Sequence, residues 1–144
     1  MVKVSTRKCQ STRKKTATRK HPTETQEQKA VIQFWAIYAK GKKLDERLLM
    51  HTANERKTSP RQGAQLKAMG VRAGWPDLFL AMPAGDYHGL FIEMKAKHGK
   101  LSDAQKELHP ILREQGYLVV VCYGALEAMD MLKRYVTEAR RVHA

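Results

Sequence analysis

The sequence predicts an α/β fold in which a mixed β-sheet is flanked by helices. Three apolar segments have the length and composition of strands, and they lie at residues 77–82, 90–96 and 117–123. The last is a continuous apolar run, YLVVVCY, which is typical of a strand buried on both faces. A helical segment separates the second strand from the third, so we expect those two to be parallel and joined by a right-handed crossover.

Apolar periodicity and capping residues predict four helices around these strands. The first begins at Thr23 or Thr25 and ends near Gly41, and the others span 64–69, 102–116 and 125–140. Pro110 lies inside the third of them, where a kink is expected. Residues 44–51 are apolar but too few to separate strand from helix, and residues 52–63 are polar with Pro and Gly, which predicts a loop.

The positive charge of the chain is concentrated at one end. The net charge is +13, and residues 1–20 hold eight Lys or Arg and no acid, whereas the remainder holds nineteen Lys or Arg against fourteen Asp or Glu. We predict a disordered basic tail over 1–22 and a folded domain over 23–144, because the tail has too little apolar surface to offset its ordering entropy. This distribution favours a polyanionic partner, most often nucleic acid. The alternative is a solvated tail that aids solubility.

The composition disfavours several classes of protein. No apolar run approaches the roughly 20 residues of a membrane span, and the first residues are charged, so neither membrane insertion nor secretion is expected. Cys9 and Cys122 lie in unlike contexts and form neither a disulfide framework nor a zinc-ligand spacing. A reducing cytoplasm is therefore the expected location.

Two acids and a lysine stand out in the first two predicted strands, in the pattern P-D followed by E-M-K. If the strands form a hairpin centred near Asp86, Asp77 faces Lys95 and lies diagonal to Glu93 on one face of the sheet. Two carboxylates so placed can bracket one Mg²⁺, which takes few protein ligands and keeps several waters. The backbone carbonyl of Met94 is a candidate for a further ligand.

Lys95 would act beside such a cation. Its ammonium group can orient or deprotonate an attacking water, or stabilise charge that develops on a phosphate. The cation would polarise the phosphoryl oxygen and lower the pKa of bound water. The alternative, from spacing alone, is an ordinary cross-strand salt bridge worth roughly 0.2–1 kcal/mol.

Longer strings around these residues resemble one nuclease family. They are HTANE (51–55), LKAMGVRAGWPDLFL (66–80) and GLFIEMKAKHGKLSDAQKELHPILREQGYLVVVCYG (89–124). The ordered combination of G-x-P-D, E-x-K and a downstream L-S-x-x-Q helix resembles the VRR-NUC family of the PD-(D/E)xK nuclease superfamily. The resemblance implies a restriction-endonuclease-like fold and Mg²⁺- or Mn²⁺-dependent hydrolysis of DNA. Short stand-alone members look like homodimeric phage enzymes that cut branched DNA, including four-way (Holliday) junctions, which implies the cytoplasm of a bacterial or phage-infected cell.

The family pattern implies roles for four residues at matching positions. Asp77 and Glu93 match the metal ligands, and Lys95 matches the catalytic cation. Gln105 matches the glutamine of the helix after E-x-K, which supports the active site or contacts the substrate. The alternative for Gln105 is an exposed helix side chain without a role.

The resemblance also points to acids outside the central motif. An acid of the first helix completes the metal site in relatives; Glu27 matches it, and Glu24 is the competing choice. Glu55 matches the acid of the H-x-x-N-E stretch, as a metal ligand, a substrate-facing residue or a plain loop carboxylate. His51 and Asn54 are weaker candidates from the same stretch.

Basic residues around the candidate site predict a DNA-binding surface. They are Arg56, Lys57, Arg61, Lys67 and Arg72. Lys97 and Lys100 follow the E-M-K motif and are further candidates for phosphate contact, with a solvated loop as the alternative. Trp75 is expected to be structural. His109 lies in mid-helix without a ligand partner at useful spacing, so no role is predicted for it.

Two other functions are compatible with the sequence. One is a basic DNA-binding protein without catalysis, which the tail and the net charge of +13 support. The other is a nuclease that acts on RNA, since no residue reports on a 2′-hydroxyl. The presence of every residue type that the chemistry needs favours a metal-dependent endodeoxyribonuclease.

Overall fold

A computed structural model of the chain describes residues 22–52 and 59–142. The helices of this part are α1 (Glu24–Gly41), α2 (Pro60–Ala68), α3 (Asp103–Glu114) and α4 (Ala125–Val142), and its strands are β1 (Leu49–His51), β2 (Leu78–Leu80), β3 (Leu90–Lys95) and β4 (Leu118–Tyr123). None of these helices is both long and apolar enough to cross a membrane. The predicted basic tail, apart from Pro22, lies outside the described residues.

The strands of the described residues form one mixed sheet in the order β1-β2-β3-β4. β1 pairs antiparallel with β2, and β2 with β3, whereas β3 and β4 are parallel and are connected through α3. The predicted α/β fold, a mixed sheet flanked by helices, is therefore confirmed. The parallel pairing across the strand–helix–strand segment is confirmed as well.

The register of the β2–β3 hairpin differs from the prediction by two residues. Leu78 pairs with Ile92, and continuing this register by one pair places Asp77 opposite Glu93 instead of Lys95. β2 ends at Leu80 and not at residue 82 as predicted, so the connecting loop spans 81–89 and its centre lies at Gly85, one residue before the predicted centre at Asp86. Because an even shift keeps every side chain on its face of the sheet, the expectation that all three polar residues share one face holds.

Two local elements between α1 and β2 were not resolved by pattern alone. The undecided segment 44–51 contains both a 3₁₀ turn (Glu46–Leu48) and β1. α2 begins at Pro60, four residues before the predicted start, because Ser59 forms a capping box and proline suits the first helical position. The rest of the predicted loop, residues 53–58, lies outside the described residues.

One face of the sheet packs against α1 and α4. Leu90, Ile92 and Met94 alternate along β3 toward this core, and each is at most 2% exposed. Trp35 of α1 is buried in the same cluster, and its indole N–H donates to the carbonyl of Glu46 at 2.9 Å. At about 1.5–3 kcal/mol for each large apolar side chain buried, this face contributes most of the apolar stabilisation.

The other face of the sheet packs against α3 through a smaller aromatic cluster. Phe91 stacks on Phe79 with ring centroids 4.4 Å apart, and Trp75 lies 5.6 Å from Phe91. Leu112 of α3 is buried against them, so Trp75 is structural, as expected. β4 is an edge strand and ends at exposed Tyr123, so the prediction that this strand is buried on both faces is only partly correct.

α3 packs its buried side against the face of the sheet that carries the aromatic cluster. Ser102 caps the helix, and the helix continues uninterrupted through Pro110. Pro110 is exposed, so water can reach the carbonyl one turn earlier that a proline leaves without an N–H donor.

Candidate active site

Asp77 stands at the point where the β2–β3 ladder ends. Its carboxylate oxygen Oδ2 accepts a hydrogen bond of 2.8 Å from the backbone N–H of Met94. In the continued register Met94 lies opposite Pro76, whose ring leaves no N–H to donate across the pair. The N–H of Met94 thus donates to the carboxylate of Asp77, and the carbonyl of Met94 receives no hydrogen bond from Pro76. In a strand the N–H and C=O of one residue point the same way, so that carbonyl is directed to the Asp77 side, as a metal ligand would require.

Glu93 lies beside Asp77 and is fully buried. One of its carboxylate oxygens, Oε1, accepts a hydrogen bond of 2.7 Å from the side-chain amide of Gln105 and lies 2.5 Å from the Lys95 ammonium. The Lys95 side chain is itself only 11% exposed. The structure therefore brings together Asp77, Glu93, Lys95 and Gln105, the four residues predicted to be catalytic.

The surroundings of the cluster raise the pKa values of both Glu93 and Lys95, for different reasons. Burial raises the pKa of Glu93 to about 7, and the charge of Asp77 adds to the effect, whereas the hydrogen bond from Lys95 opposes it. Burial also works against the charge of Lys95, but its hydrogen bond to Glu93 and the nearby charges of Glu93, Glu24 and Asp77 outweigh that cost and raise its pKa. Lys95 is therefore an ammonium at neutral pH, while Glu93 holds a proton part of the time.

The donor set fits a hard divalent cation. The second oxygen of Glu93, Oε2, is buried and finds no hydrogen-bond partner among the described residues. A cation between Asp77 and Glu93 would neutralise their repulsion and use buried oxygen lone pairs that water does not reach. Mg²⁺ typically takes one or two carboxylates and completes its shell with water. Among the described residues, no three or more His, Cys, Asp or Glu converge as a metal cluster.

The two acids of the first turn of α1 serve different neighbours. Glu24 Oε1 accepts a hydrogen bond of 3.1 Å from the backbone N–H of Ala96, one residue after the E-M-K motif. Glu27 Oε2 instead accepts one of 2.7 Å from the N–H of Ala125 at the start of α4, where the helix dipole favours an acid. Of the two, Glu24 lies nearer Lys95, while the metal role of Glu27 stays a prediction.

The H-x-x-N-E stretch is described only at its start. His51 Nδ1 lies 2.8 Å from the backbone carbonyl oxygen of Asp77 and 2.8 Å from the side-chain nitrogen of Gln28. Both contacts of the His51 ring are therefore with the backbone of Asp77 and with Gln28, and neither is with a carboxylate of the site. They hold in place the backbone that carries Asp77. Asn54 and Glu55 lie outside the described residues.

Most of the basic residues predicted to contact DNA lie in the described part of the chain, and two do not. Arg61, Lys67 and Arg72 are exposed on or just after α2, and Lys97 and Lys100 are exposed after β3. These residues remain candidates for phosphate contact. Arg56 and Lys57 lie outside the described residues.

The GWPD segment is held against α3 by a close backbone approach. Gly74 has a φ of +93°, and a Cβ at this position would lie 2.5 Å from the carbonyl oxygen of Ala104. Only glycine meets both conditions without strain. This contact locks the segment that carries Asp77 to the helix that carries Gln105.

His109 is the site residue that sequence analysis missed. It is 1% exposed, and its Nε2 lies 3.9 Å from Glu93 Oε2. Burial lowers the pKa of His109, and the charges of Arg113 and Lys95 lower it further, so its ring is neutral at pH 7. The available signal was its spacing of four residues from Gln105, which places both on one helix face.

Comparison with known proteins bears on the identity of this site. The VRR-NUC domain family matches the chain over residues 13–126. A solved structure described as a VRR_NUC domain protein is 30% identical, covers 83% of this chain and 92% of its own, and superposes with a TM-score of 0.68. No curated protein matches the chain. The family match spans well over half of the chain, which therefore belongs to the VRR-NUC family and contains a nuclease-type domain of DNA processing.

Proposed function

We propose that the protein is a metal-dependent endodeoxyribonuclease that uses Mg²⁺ or Mn²⁺ to hydrolyse DNA phosphodiester bonds. The observation that supports this most directly is the convergence of Asp77 and Glu93 with Lys95, whose ammonium lies 2.5 Å from Glu93 Oε1. A structural salt bridge alone would not require a second acid, Asp77, beside it or leave Glu93 Oε2 without a hydrogen-bond partner among the described residues.

Each residue of the site has a task in the proposed reaction. Asp77 and Glu93, with the carbonyl of Met94, would hold the cation. When bound, the cation supplies a water of lowered pKa and a polarised phosphoryl oxygen. Gln105 keeps the Glu93 carboxylate in place through its hydrogen bond to Oε1.

Lys95 is suited to electrostatic work. Because its pKa is raised, it remains an ammonium, which orients the attacking water and stabilises negative charge on the phosphate. Of the roles considered for this residue, deprotonation of water is the one that a raised pKa disfavours.

We further propose branched DNA as the substrate and a homodimer as the active form, in the cytoplasm of a bacterial or phage-infected cell. A DNA-binding role through phosphate contacts is supported by the exposed side chains of Arg61, Lys67 and Arg72 and by the eight Lys or Arg of residues 1–20. Paired cuts in a four-way junction need two active centres, and the described residues supply one. Leu126 is 80% exposed and Ile37 is 77% exposed, which gives a second subunit apolar surface to cover.

The test is incubation of the purified protein with labelled linear, flapped and four-way-junction DNA in Mg²⁺, Mn²⁺ or EDTA, with light scattering for the mass. We expect cleavage only with metal, preference for the junction, and twice the monomer mass. Asp77→Asn should lower the rate by roughly 10²–10³-fold, whereas Asp86→Asn, at an exposed turn position, should not.

The outcomes separate the parts of the proposal. Binding without cleavage of any substrate in either metal would replace it by a non-catalytic DNA-binding protein. Faster cleavage of matched RNA substrates would replace DNA by RNA. Equal rates on linear and branched DNA would remove the structure selectivity alone, and a monomeric mass at active concentrations would remove the dimer.

A further inference from the structure

α3 presents two polar side chains to Glu93, one helical turn apart. Gln105 and His109 are separated by four residues and so lie on the same face of the helix. Gln105 donates to Glu93 Oε1 at 2.7 Å, and His109 Nε2 faces Glu93 Oε2 at 3.9 Å. The two oxygens of one carboxylate thus face two different residues of one helix.

The donors around Glu93 are unevenly distributed between its two oxygens. Oε1 has both the Gln105 amide and the Lys95 ammonium, whereas Oε2 finds no hydrogen-bond partner among the described residues. Both ring nitrogens of His109 are also buried without a partner there. Each buried polar atom left unpaired destabilises the folded state, because it gives up its hydrogen bonds to water without a replacement. An apolar side chain would fill the space of His109 without that cost, so packing alone does not account for histidine.

The gap between the two groups is short enough to close. A hydrogen bond needs about 2.9 Å between nitrogen and oxygen, so a movement of roughly 1 Å from 3.9 Å brings Nε2–H onto Oε2. A carboxylate has about four lone-pair sites, so this bond leaves others for a cation. Hydrogen bonds to ligating carboxylates orient them, and loss of such partners typically costs about 10–100-fold in metal affinity or activity.

We propose that His109 is a positioning residue, whose Nε2–H holds Glu93 Oε2 and, with Gln105 on Oε1, fixes the carboxylate as a metal ligand. The inference rests on the proposed metal-dependent function. His109 acts through Glu93 and does not itself contact substrate or metal. The arrangement clamps both oxygens from the rigid helix α3 rather than from a loop.

Two variants separate hydrogen bonding from packing. His109→Phe keeps a ring but has no donor, and His109→Gln returns an N–H at a distance similar to Nε2. Removal of the unpaired nitrogens should leave His109→Phe folded, with a melting temperature in EDTA at least equal to that of the wild type. Mn²⁺ affinity, measured by electron paramagnetic resonance without DNA, should fall about 10–100-fold in His109→Phe and recover in His109→Gln.

A measurement on the wild-type protein needs no variant to fold. Nitrogen-15 NMR of labelled histidine should show the His109 ring protonated at Nε2, with its resonance shifting when Mg²⁺ is added. A proton on Nδ1 and none on Nε2 would overturn the proposal, because Oε2 would then face no donor.

The remaining outcomes are also distinct. Wild-type Mn²⁺ affinity in His109→Phe, or equal loss in the Phe and Gln variants, would show that the donor has no positioning role. If the wild type binds no Mn²⁺ at all, both this inference and the metal-dependent function fail. If the wild type binds Mn²⁺ and His109→Phe binds it equally well, only the inference about His109 fails.

Discussion

Replacing Glu93 by glutamine should stabilise the metal-free protein at neutral and alkaline pH. Burial raises the pKa of Glu93 from 4.5 to about 7, so ionisation of this carboxyl opposes folding. At about 1.4 kcal/mol for each pH unit, the cost above pH 7 is about 3 kcal/mol. Glutamine keeps the shape of the protonated acid and never ionises, so Glu93→Gln avoids this cost.

The sign of the pH dependence follows from proton binding. Between pH 4.5 and about 7 the folded protein binds the Glu93 proton more tightly than the unfolded chain does. The free energy of unfolding attributable to this group therefore falls as the pH rises through that window and is constant above it. The advantage of Glu93→Gln should be close to zero near pH 4 and reach its full value above pH 7.

Chemical denaturation in EDTA at a series of pH values measures this directly. Glu107→Gln is the matched control, because it changes an exposed carboxylate of α3 in the same way and should have little effect. Saturating Mg²⁺ should stabilise the wild type but not Glu93→Gln, since ligand bound only to the folded state stabilises it. A Glu93→Gln protein no more stable than the wild type at pH 8 in EDTA would refute the reasoning.

Three further predictions concern the scaffold and the DNA surface. Gly74→Ala should lower the melting temperature more than Gly70→Ala does. Both glycines have φ near +93°, but of the two only Gly74 would place a Cβ against a carbonyl oxygen, that of Ala104 at 2.5 Å. Equal losses of melting temperature in the two variants would contradict this. Arg72→Ala should reduce the slope of log affinity for DNA against log salt by about 0.9 if Arg72 contacts one phosphate, and an unchanged slope in a fluorescence titration would remove it from the interface. Deletion of residues 1–20, which hold eight Lys or Arg, should reduce the same slope further, whereas a slope equal to that of the full chain would leave the tail with a solubility role only.

The central cluster could be predicted from sequence because its polar residues interrupt apolar strands. Asp77, Glu93 and Lys95 are conspicuous in their segments, and strand alternation placed them on one face without knowledge of the exact register. The register itself could not be predicted, because the apolar run continues to Met82 and does not show that the strand ends at Leu80. Gln105 was found through the family motif, and the structure shows its contact with Glu93.

The residues that were missed or left open depend on tertiary placement. His109 belongs to an amphipathic helix, and only the docking of α3 shows that its inward face covers Glu93. Glu24 and Glu27 lie within one turn of α1, so sequence offers no means to decide which reaches the strand end. In the structure Glu24 accepts a hydrogen bond from Ala96 after β3, and Glu27 accepts one from Ala125 after β4, while the metal role of Glu27 stays a prediction.

The central claim is that Asp77 and Glu93 hold a divalent cation and that Lys95 acts on the phosphate beside it. The most direct test titrates Mn²⁺ into the wild type, Asp77→Asn and Lys95→Met, and measures cleavage of four-way-junction DNA in the same samples. We predict that Asp77→Asn loses Mn²⁺ binding and cleaves roughly 10²–10³-fold more slowly. Lys95→Met should retain Mn²⁺ but cleave roughly 10²–10⁴-fold more slowly. Wild-type Mn²⁺ affinity in Asp77→Asn, or wild-type cleavage by a folded Lys95→Met, would contradict the account.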